Sequence, residues 1–536
     1  MMGHRQLLLS GISAPFDAPE QEIIQIAKRK MKRACSSTAG LHFRLYKKSF
    51  DARRKGEIKQ VCSVLVEADT PLCLRDEVLR QIGARPFSQE VPEPVSGSEV
   101  LCAPPLVVGM GPAGLFAALL LAEQGYRPTL IDRGDGVEKR AEAAERFRLY
   151  GVLDSESNIQ FGAGGAGTFS DGKLVTRVSD PLGGYVLERL VEFGAPREIL
   201  IKAKPHVGTD ILRVVVDGIL RRIEALGGRV LYRTCLQEYC LTGEGVIAKT
   251  SVGEIRAGAM ILAIGHSARD TFEMLMGHPL SVEPKPFSVG VRIEHLREDV
   301  DKALYGDLAG HPALGPGEYT LSDTTGERGV YTFCMCPGGE VVTAASEEGG
   351  VVVNGMSYHA RDGRNSNAAV AVSVTPHDVG KDVRAAIAFQ RELERAAYRA
   401  GGGDYVAPTE TVGDFLNGYR GTAPSRVLPT YGGGRVKVCD LRRVLPDFVS
   451  AGLDRGIRAF DRRLQGFAAT DAVLTGVETR TSSPLRILRT EARTAVGEDV
   501  VYPTGEGAGY AGGITSAALD GLHTALAVIA RFAKPH

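Results

Sequence analysis

Apolar and polar positions along residues 1–100 alternate as in a small α+β unit. Residues 6–12 and 61–67 read as strands, and Leu41, Phe43 and Leu45 alternate with polar neighbours. Ile23, Ile24, Ala27 and Met31 fall on one face of a helix over residues 20–33, and a short helix is expected over 76–81. Residues 88–98, with their prolines, serines and glycine, read as a linker. The pattern then changes. A short apolar run, Leu106–Val108, meets Gly109, Gly111 and Gly114. An apolar helical stretch over 115–122 follows, and a second run, Thr129–Ile131, ends at Asp132. Further strands are expected over 229–233, 245–250 and 259–264, and residues 280–495 are dominated by alternating strand patterns and loops. From Val501 the chain returns to a strand, a glycine loop and a long helix ending near Arg531.

These patterns imply an α/β protein with a Rossmann-type nucleotide-binding domain, an inserted α+β substrate domain and a small N-terminal α+β module. The expected boundaries are 1–100 for the module, 101–280 and 496–536 for the discontinuous nucleotide-binding domain, and 281–495 for the insert.

The order strand, glycine turn, helix, strand, acidic residue is that of a dinucleotide-binding unit. Gly109 permits the tight turn, Gly111 lets backbone approach a diphosphate, and Gly114 lets the helix pack close to the sheet. Free N–H groups at the helix start then hold phosphate oxygens. Asp132 is placed to accept hydrogen bonds from a ribose. The candidate contacts here are Gly109, Gly111, Pro112, Ala113, Gly114 and Asp132, with Arg133 and Arg140 just beyond. The unit alone fits NAD or FAD. The terminal loop favours FAD, because a second helix N-terminus from the far end of the chain suits an extended ligand. Its candidate contacts are Gly505, Glu506, Gly512, Gly513 and Ile514. A second glycine-rich run, 161–173, adds Gly164, Gly165, Gly167, Ser170 and Lys173, and the strand before Gly265 adds that glycine. A lysine near flavin N1 or N5 would stabilise reduced flavin.

The chain resembles a bacterial and plastid family called FAD-dependent dehydrogenases. The carriers are residues 161–173, 265–272, 285–295, 333–339, 354–357, 476–484 and the terminal loop. The resemblance spans nearly the whole chain and implies bound FAD, a glutathione-reductase-type Rossmann core and an inserted substrate domain. In that type the acidic residue of the terminal loop, normally Asp and here Glu506, binds the ribityl or phosphate region. More distantly, the core is similar to geranylgeranyl reductases and to flavoproteins that modify tRNA uridines. The expected activity is an FAD-dependent oxidoreductase exchanging hydride with a small organic substrate. One full dinucleotide fingerprint is visible, so NAD(P)H, where it is the donor, visits the flavin transiently.

Weaker candidates for chemistry are Lys173, His266 and the pair Cys334 and Cys336. Two thiols at i and i+2 on a strand share a face, but the spacing suits neither the usual redox turn nor a lone metal site, and no metal is expected. Arg480 and Arg486, with Ser482 and Ser483, are placed to clamp a carboxylate or phosphate. Asn354, Ser357, Arg361 and Asn365 form a second polar group.

Composition narrows the rest. Lys+Arg and Asp+Glu each number 64 in 536 residues, so no global charge points to nucleic acid or membrane. Residues 1–60 carry a net charge of +8, which leaves RNA as a possible partner that is not favoured over a solvated basic face. A flavin-bound redox sensor is the non-enzymatic alternative. Nine cysteines with no secretory pattern favour a reducing, cytoplasmic setting, and no run is long enough to insert in a membrane. The oligomeric state is open.

Overall fold

A five-stranded parallel sheet forms the centre of the molecule. In the computed structural model, which describes residues 4–35, 37–52, 57–88, 93–175 and 180–535, its order is Val501–Pro503, Met260–Leu262, Leu106–Val108, Thr129–Ile131 and Arg229–Leu231. The four strands inside the edge at Arg229 are buried throughout, as strands covered on both faces must be. Helix Pro112–Glu123 is buried from Ala113 to Ala122 because it lies between this sheet and helices Thr209–Ala225 and Ile514–Arg531. It meets the C-terminal helix so closely that a side chain at Gly521 would run into the Ala113 carbonyl. The first and last thirds of the chain therefore share one core.

The insert is built on a seven-stranded sheet, ordered Ser322–Asp323, Val330–Cys336, Asn365–Val374, Phe287–Leu296, Val473–Glu478, Ala407–Thr411 and Val436–Val438. Pairing is antiparallel except at the last pair. Two long helices, Val383–Gly401 and Asp447–Asp461, pack on it. The alternating pattern of this region pointed to strands and loops, and the helices emerge as additional elements. Entry strand Val282–Pro284 pairs with exit strand Leu485–Ile487, so the insert leaves and rejoins the core at one place.

The N-terminal module has the order βαββαβ. Its four-stranded antiparallel sheet runs Leu41–Asp51, Lys59–Leu72, His4–Pro15, Ala84–Pro86, with helices Glu20–Met31 and Asp76–Ile82. It joins the core along an edge strand: Lys48 N–H donates to the Ile201 carbonyl at 2.8 Å, and the Lys48 carbonyl accepts from Ala203 N–H at 2.8 Å. Arg53, Arg54 and Lys55 of its basic run, and residues 89–92 of the linker, lie outside the described residues. Among the described residues no helix is long and apolar enough to cross a membrane.

Candidate functional site

The three glycines of the first turn do different work. A side chain at Gly109 (φ +105°) would enter the Ala263 backbone, and one at Gly114 would enter the Gly109 carbonyl. Both are packing requirements. At Gly111 a methyl group would meet nothing nearer than the Gly165 Cα at 3.9 Å, so the space above it is open. That space is a long cavity, which Gly109, Gly111, Pro112 and Ala113 line at the start of helix Pro112–Glu123. Gly512, Gly513 and Ile514 line it at the start of helix Ile514–Arg531. Two helix N-termini thus bring unpaired N–H groups and positive dipole ends to one groove, a natural seat for an anion.

Asp132 also lines the groove, but its carboxylate is engaged. Oδ2 accepts from Met110 N–H at 2.8 Å, and Oδ1 accepts from Gly134 and Gly162 N–H at 2.9 Å each. These three bonds fix the turn and the following loop while the side chain stays on the cavity wall. Arg133, next along, lies over the Phe161 ring at 4.7 Å and donates to Asp270 Oδ1 at 3.1 Å and to Cys235 Sγ at 2.8 Å, closing one end of the cavity.

Loop 161–173 crosses between the two helix starts. Gly165 lies against Gly111, and a methyl on Gly167 would meet Ile514 Cγ1 at 3.0 Å. Gly164 does not line the cavity; its φ of +88° and its closeness to Thr168 make it a turn residue. Arg140 is fully buried beneath the loop and donates to the carbonyls of Asn158 (2.8 Å), Ala163 (2.6 Å) and Gly165 (2.9 Å). It braces the loop rather than facing the cavity, and burial pulls its pKa down to about 9. Ser170 and Lys173 reach the cavity from the loop's far end.

Three ionisable groups gather by the terminal loop. Glu506 Oε2 lies 3.9 Å from His266 Nδ1. Burial pushes the Glu506 carboxyl up to about 7, opposed by the Lys285 ammonium. Burial, with the Arg480 guanidinium next, pushes His266 down to about 4, and its buried Nε2 has no hydrogen-bond partner among the described residues. A neutral imidazole and a carboxyl poised near neutrality suit hydroxyl neighbours, with which each can exchange a hydrogen bond. Gly265 and Gly505 line the same stretch.

The insert supplies the opposite wall through Phe333, Cys334, Cys336 and Asn354. Cys336 is buried, which pushes its thiol up to about 11; Cys334 is exposed on the cavity wall, and desolvation by the surrounding protein still pushes its thiol up, to about 12. Arg480 also faces the cavity, yet its guanidinium is tied to Glu394 at 3.1 Å and to Ser346. Arg361 is taken by Asp171 and Glu318, and Ser357 also donates to Asp171. Asn365 bonds Glu294 within the insert, Ser483 bonds the Gly507 carbonyl, and Arg486 lies 3.6 Å from Glu283 beside the hinge. Sequence reasoning passed over Phe333, Thr481, Phe161 and Gln160, all cavity-lining. It also passed over Arg292, whose buried position behind the wall has no local signature.

The residues present fit an extended dinucleotide. The open space over Gly111, the paired helix starts and the loop laid between them form a cradle that side chains would fill. Residues 286–481 match the family model described as "FAD-dependent protein, C-terminal domain-like". An uncharacterized protein of Clostridium beijerinckii is 45% identical over 501 residues, covering 92% of this chain and 93% of that one. Solved structures with similar chains include CtdE in complex with FAD, 11% identical, TM-score 0.32, covering 78% of this chain and 82% of that one. The halogenase PltM is 12% identical, TM-score 0.36, covering 79% and 67% respectively. The glycerol-3-phosphate dehydrogenase from Bacillus halodurans complexed with FAD is 12% identical, TM-score 0.32, covering 81% and 65%. With its Rossmann-type core, its insert and a relative this close along almost its full length, the chain belongs to this family of FAD-dependent proteins, and FAD is its cofactor.

Proposed function

We propose that the protein is an oxidoreductase in which FAD exchanges hydride with a small organic substrate held against the insert. One observation carries this reading: a single cavity begins at the glycine turns of the core and ends against Phe333, Cys334 and Asn354 of the insert. When bound, FAD supplies a two-electron donor and acceptor at its isoalloxazine ring. The chain's part is to hold and enclose. Gly111 and the two helix starts support binding of the diphosphate, and the loop ending at Lys173 lies between cofactor seat and insert. Phe333 and Ile514 give the cavity apolar wall surface.

The test is anaerobic titration of the purified flavoprotein with NADPH and then NADH, watching the visible flavin band. Bleaching identifies a nicotinamide-driven reductase that reduces its substrate. A band that survives both donors but bleaches with dithionite places the protein among enzymes that oxidise their substrate or take electrons from another carrier. A flavin that no substrate-class compound reduces or reoxidises counts against an enzyme.

A further inference from the structure

We propose that the insert end of the cavity is a carboxylate subsite, in which the Lys173 ammonium and the Asn354 amide N–H groups each take one oxygen of a substrate carboxylate. This rests on the reading of the cavity as a flavin and substrate site, and it names the substrate class.

The argument starts at a bulge. Strand Val330–Cys336 slips its register against Asn365–Val374 between Phe333 and Cys336, and Cys334 adopts a left-handed φ of +41°. A bulge releases ladder groups from their sheet partners. Here the carbonyls of Cys334 and Met335, consecutive in the chain, turn to side chains instead. Cys334 O accepts from Arg292 Nη1 at 2.8 Å, and Met335 O accepts from Lys173 Nζ.

Arg292 then dictates how Asn354 is presented. Its side chain is fully buried, with Nε on Glu478 Oε2 at 2.6 Å, Nη1 also on Asn367 Oδ1 at 3.0 Å, and Nη2 on Asn354 Oδ1 at 2.8 Å. A guanidinium only donates, so Asn354 must turn its oxygen toward it. The Gly355 N–H bonds that same oxygen at 2.8 Å. The amide nitrogen is thereby left for the cavity that Asn354 lines.

Lys173 is similarly available. Its bond to a neutral carbonyl leaves two ammonium hydrogens. Asp171 is claimed by Arg361 and Ser357; Glu318 gives Oε1 to Arg361 at 2.5 Å, and the Lys173 charge acts on it without a hydrogen bond between the two side chains. Thr481, on the same wall, gives its hydroxyl to the Ser288 carbonyl at 2.8 Å. This end of the cavity therefore offers one ammonium, one amide donor and the Phe333 ring. That combination recognises a carboxylate on an apolar body, since charge-assisted bonds to an anion are the strong ones.

The probe is benzoate, titrated into FAD-loaded protein while the flavin absorption spectrum is followed, with benzamide and sulfate as comparisons. The expected result is a saturable spectral shift with benzoate, binding at least about tenfold weaker with benzamide, and no shift with sulfate. Lys173→Met and Asn354→Asp should each raise the benzoate Kd by about tenfold or more, measured on FAD-loaded protein, with wild-type circular dichroism showing that the variants fold. The subsite is overturned if benzoate leaves the spectrum unmoved, if benzamide binds as well, if sulfate gives the same Lys173-dependent shift, or if both variants keep the wild-type Kd. A preparation that carries FAD but ignores benzoate sinks only the subsite. One that cannot bind FAD sinks the reading beneath it as well.

Discussion

Gly111 and Glu506 are the residues on which the cofactor seat can be tested most directly. A side chain at Gly111 meets no protein atom closer than 3.9 Å, so Gly111→Val should leave the fold intact and fill the cradle. FAD affinity is expected to fall by more than about a hundredfold, ~2.7 kcal/mol. Equilibrium dialysis checks this, and stoichiometric FAD in the variant would move the diphosphate elsewhere. Glu506 gives a pH signature. Its carboxyl is raised by burial from 4.5 to about 7 in the folded chain. A group raised on folding contributes fully below its unfolded pKa and loses that contribution as pH climbs through the folded value. FAD-free protein should therefore lose up to ~3 kcal/mol on this account between about pH 4.5 and 7. Glu506→Gln should remove that slope. Glu410, raised by burial to about 7 as well, titrates in the same window, so the informative quantity is the difference between wild type and variant in urea unfolding. Parallel pH curves would show that Glu506 is not the group responsible.

At the scale of elements, the bulged strand Val330–Cys336 shows why a thiol pair need not mean redox chemistry. Its backbone carbonyls anchor Arg292 and Lys173, while desolvation holds both thiols protonated. At pH 8 a thiol of pKa about 12 is thiolate about one part in ten thousand, and the thiolate is the reactive form. Cys73, Cys102, Cys240 and Cys334 are exposed and Cys336 is buried, so iodoacetamide labelling followed by peptide mass analysis should mark Cys73, Cys102 and Cys240 first, Cys334 more slowly because its thiol is held protonated, and Cys336 last. Early modification of Cys334 would restore it as a redox candidate. The same strand marks where sequence reading stops. The glycine turn, Asp132 and the terminal glycine loop are local patterns, and each is legible because one short segment fixes its own geometry. The bulge exists only because Phe333 and Cys336 pair with Ala369 and Asn367 of a strand far along the chain, a register no local periodicity records. For the same reason Arg140 looked like a ligand group. Its chemistry was right for one, but the loop carbonyls that take its hydrogen bonds are brought there by tertiary folding.

At the scale of the whole molecule, the cavity depends on keeping core and insert in fixed relation, and a buried charge cluster does this across the boundary. Arg269, opening helix Arg269–Leu275 of the core, donates to both oxygens of Glu394 at 2.9 and 2.8 Å, and Glu394 lies on helix Val383–Gly401 of the insert. Arg480, on the cavity wall, binds the same carboxylate from the other side. Burial pushes the Glu394 carboxyl up, but the Arg480 and Arg269 guanidiniums overcome it and hold it far below the usual carboxylate range. Two guanidiniums thus depend on one buried acid, with Glu347 assisting Arg269 from a site 32% exposed. Breaking a buried pair strands charge in a medium that cannot solvate it, whereas a partly exposed partner is replaced by water. Glu394→Gln is therefore expected to cost about 3–5 kcal/mol in urea unfolding. Glu347→Gln should cost about 1 kcal/mol or less. Because Arg480 would be freed to swing into the cavity, the Glu394 variant should also bind FAD more weakly at temperatures where it remains folded. Equal costs for the two variants would mean that the boundary is held by packing, and that the cluster serves only to set the position of Arg480.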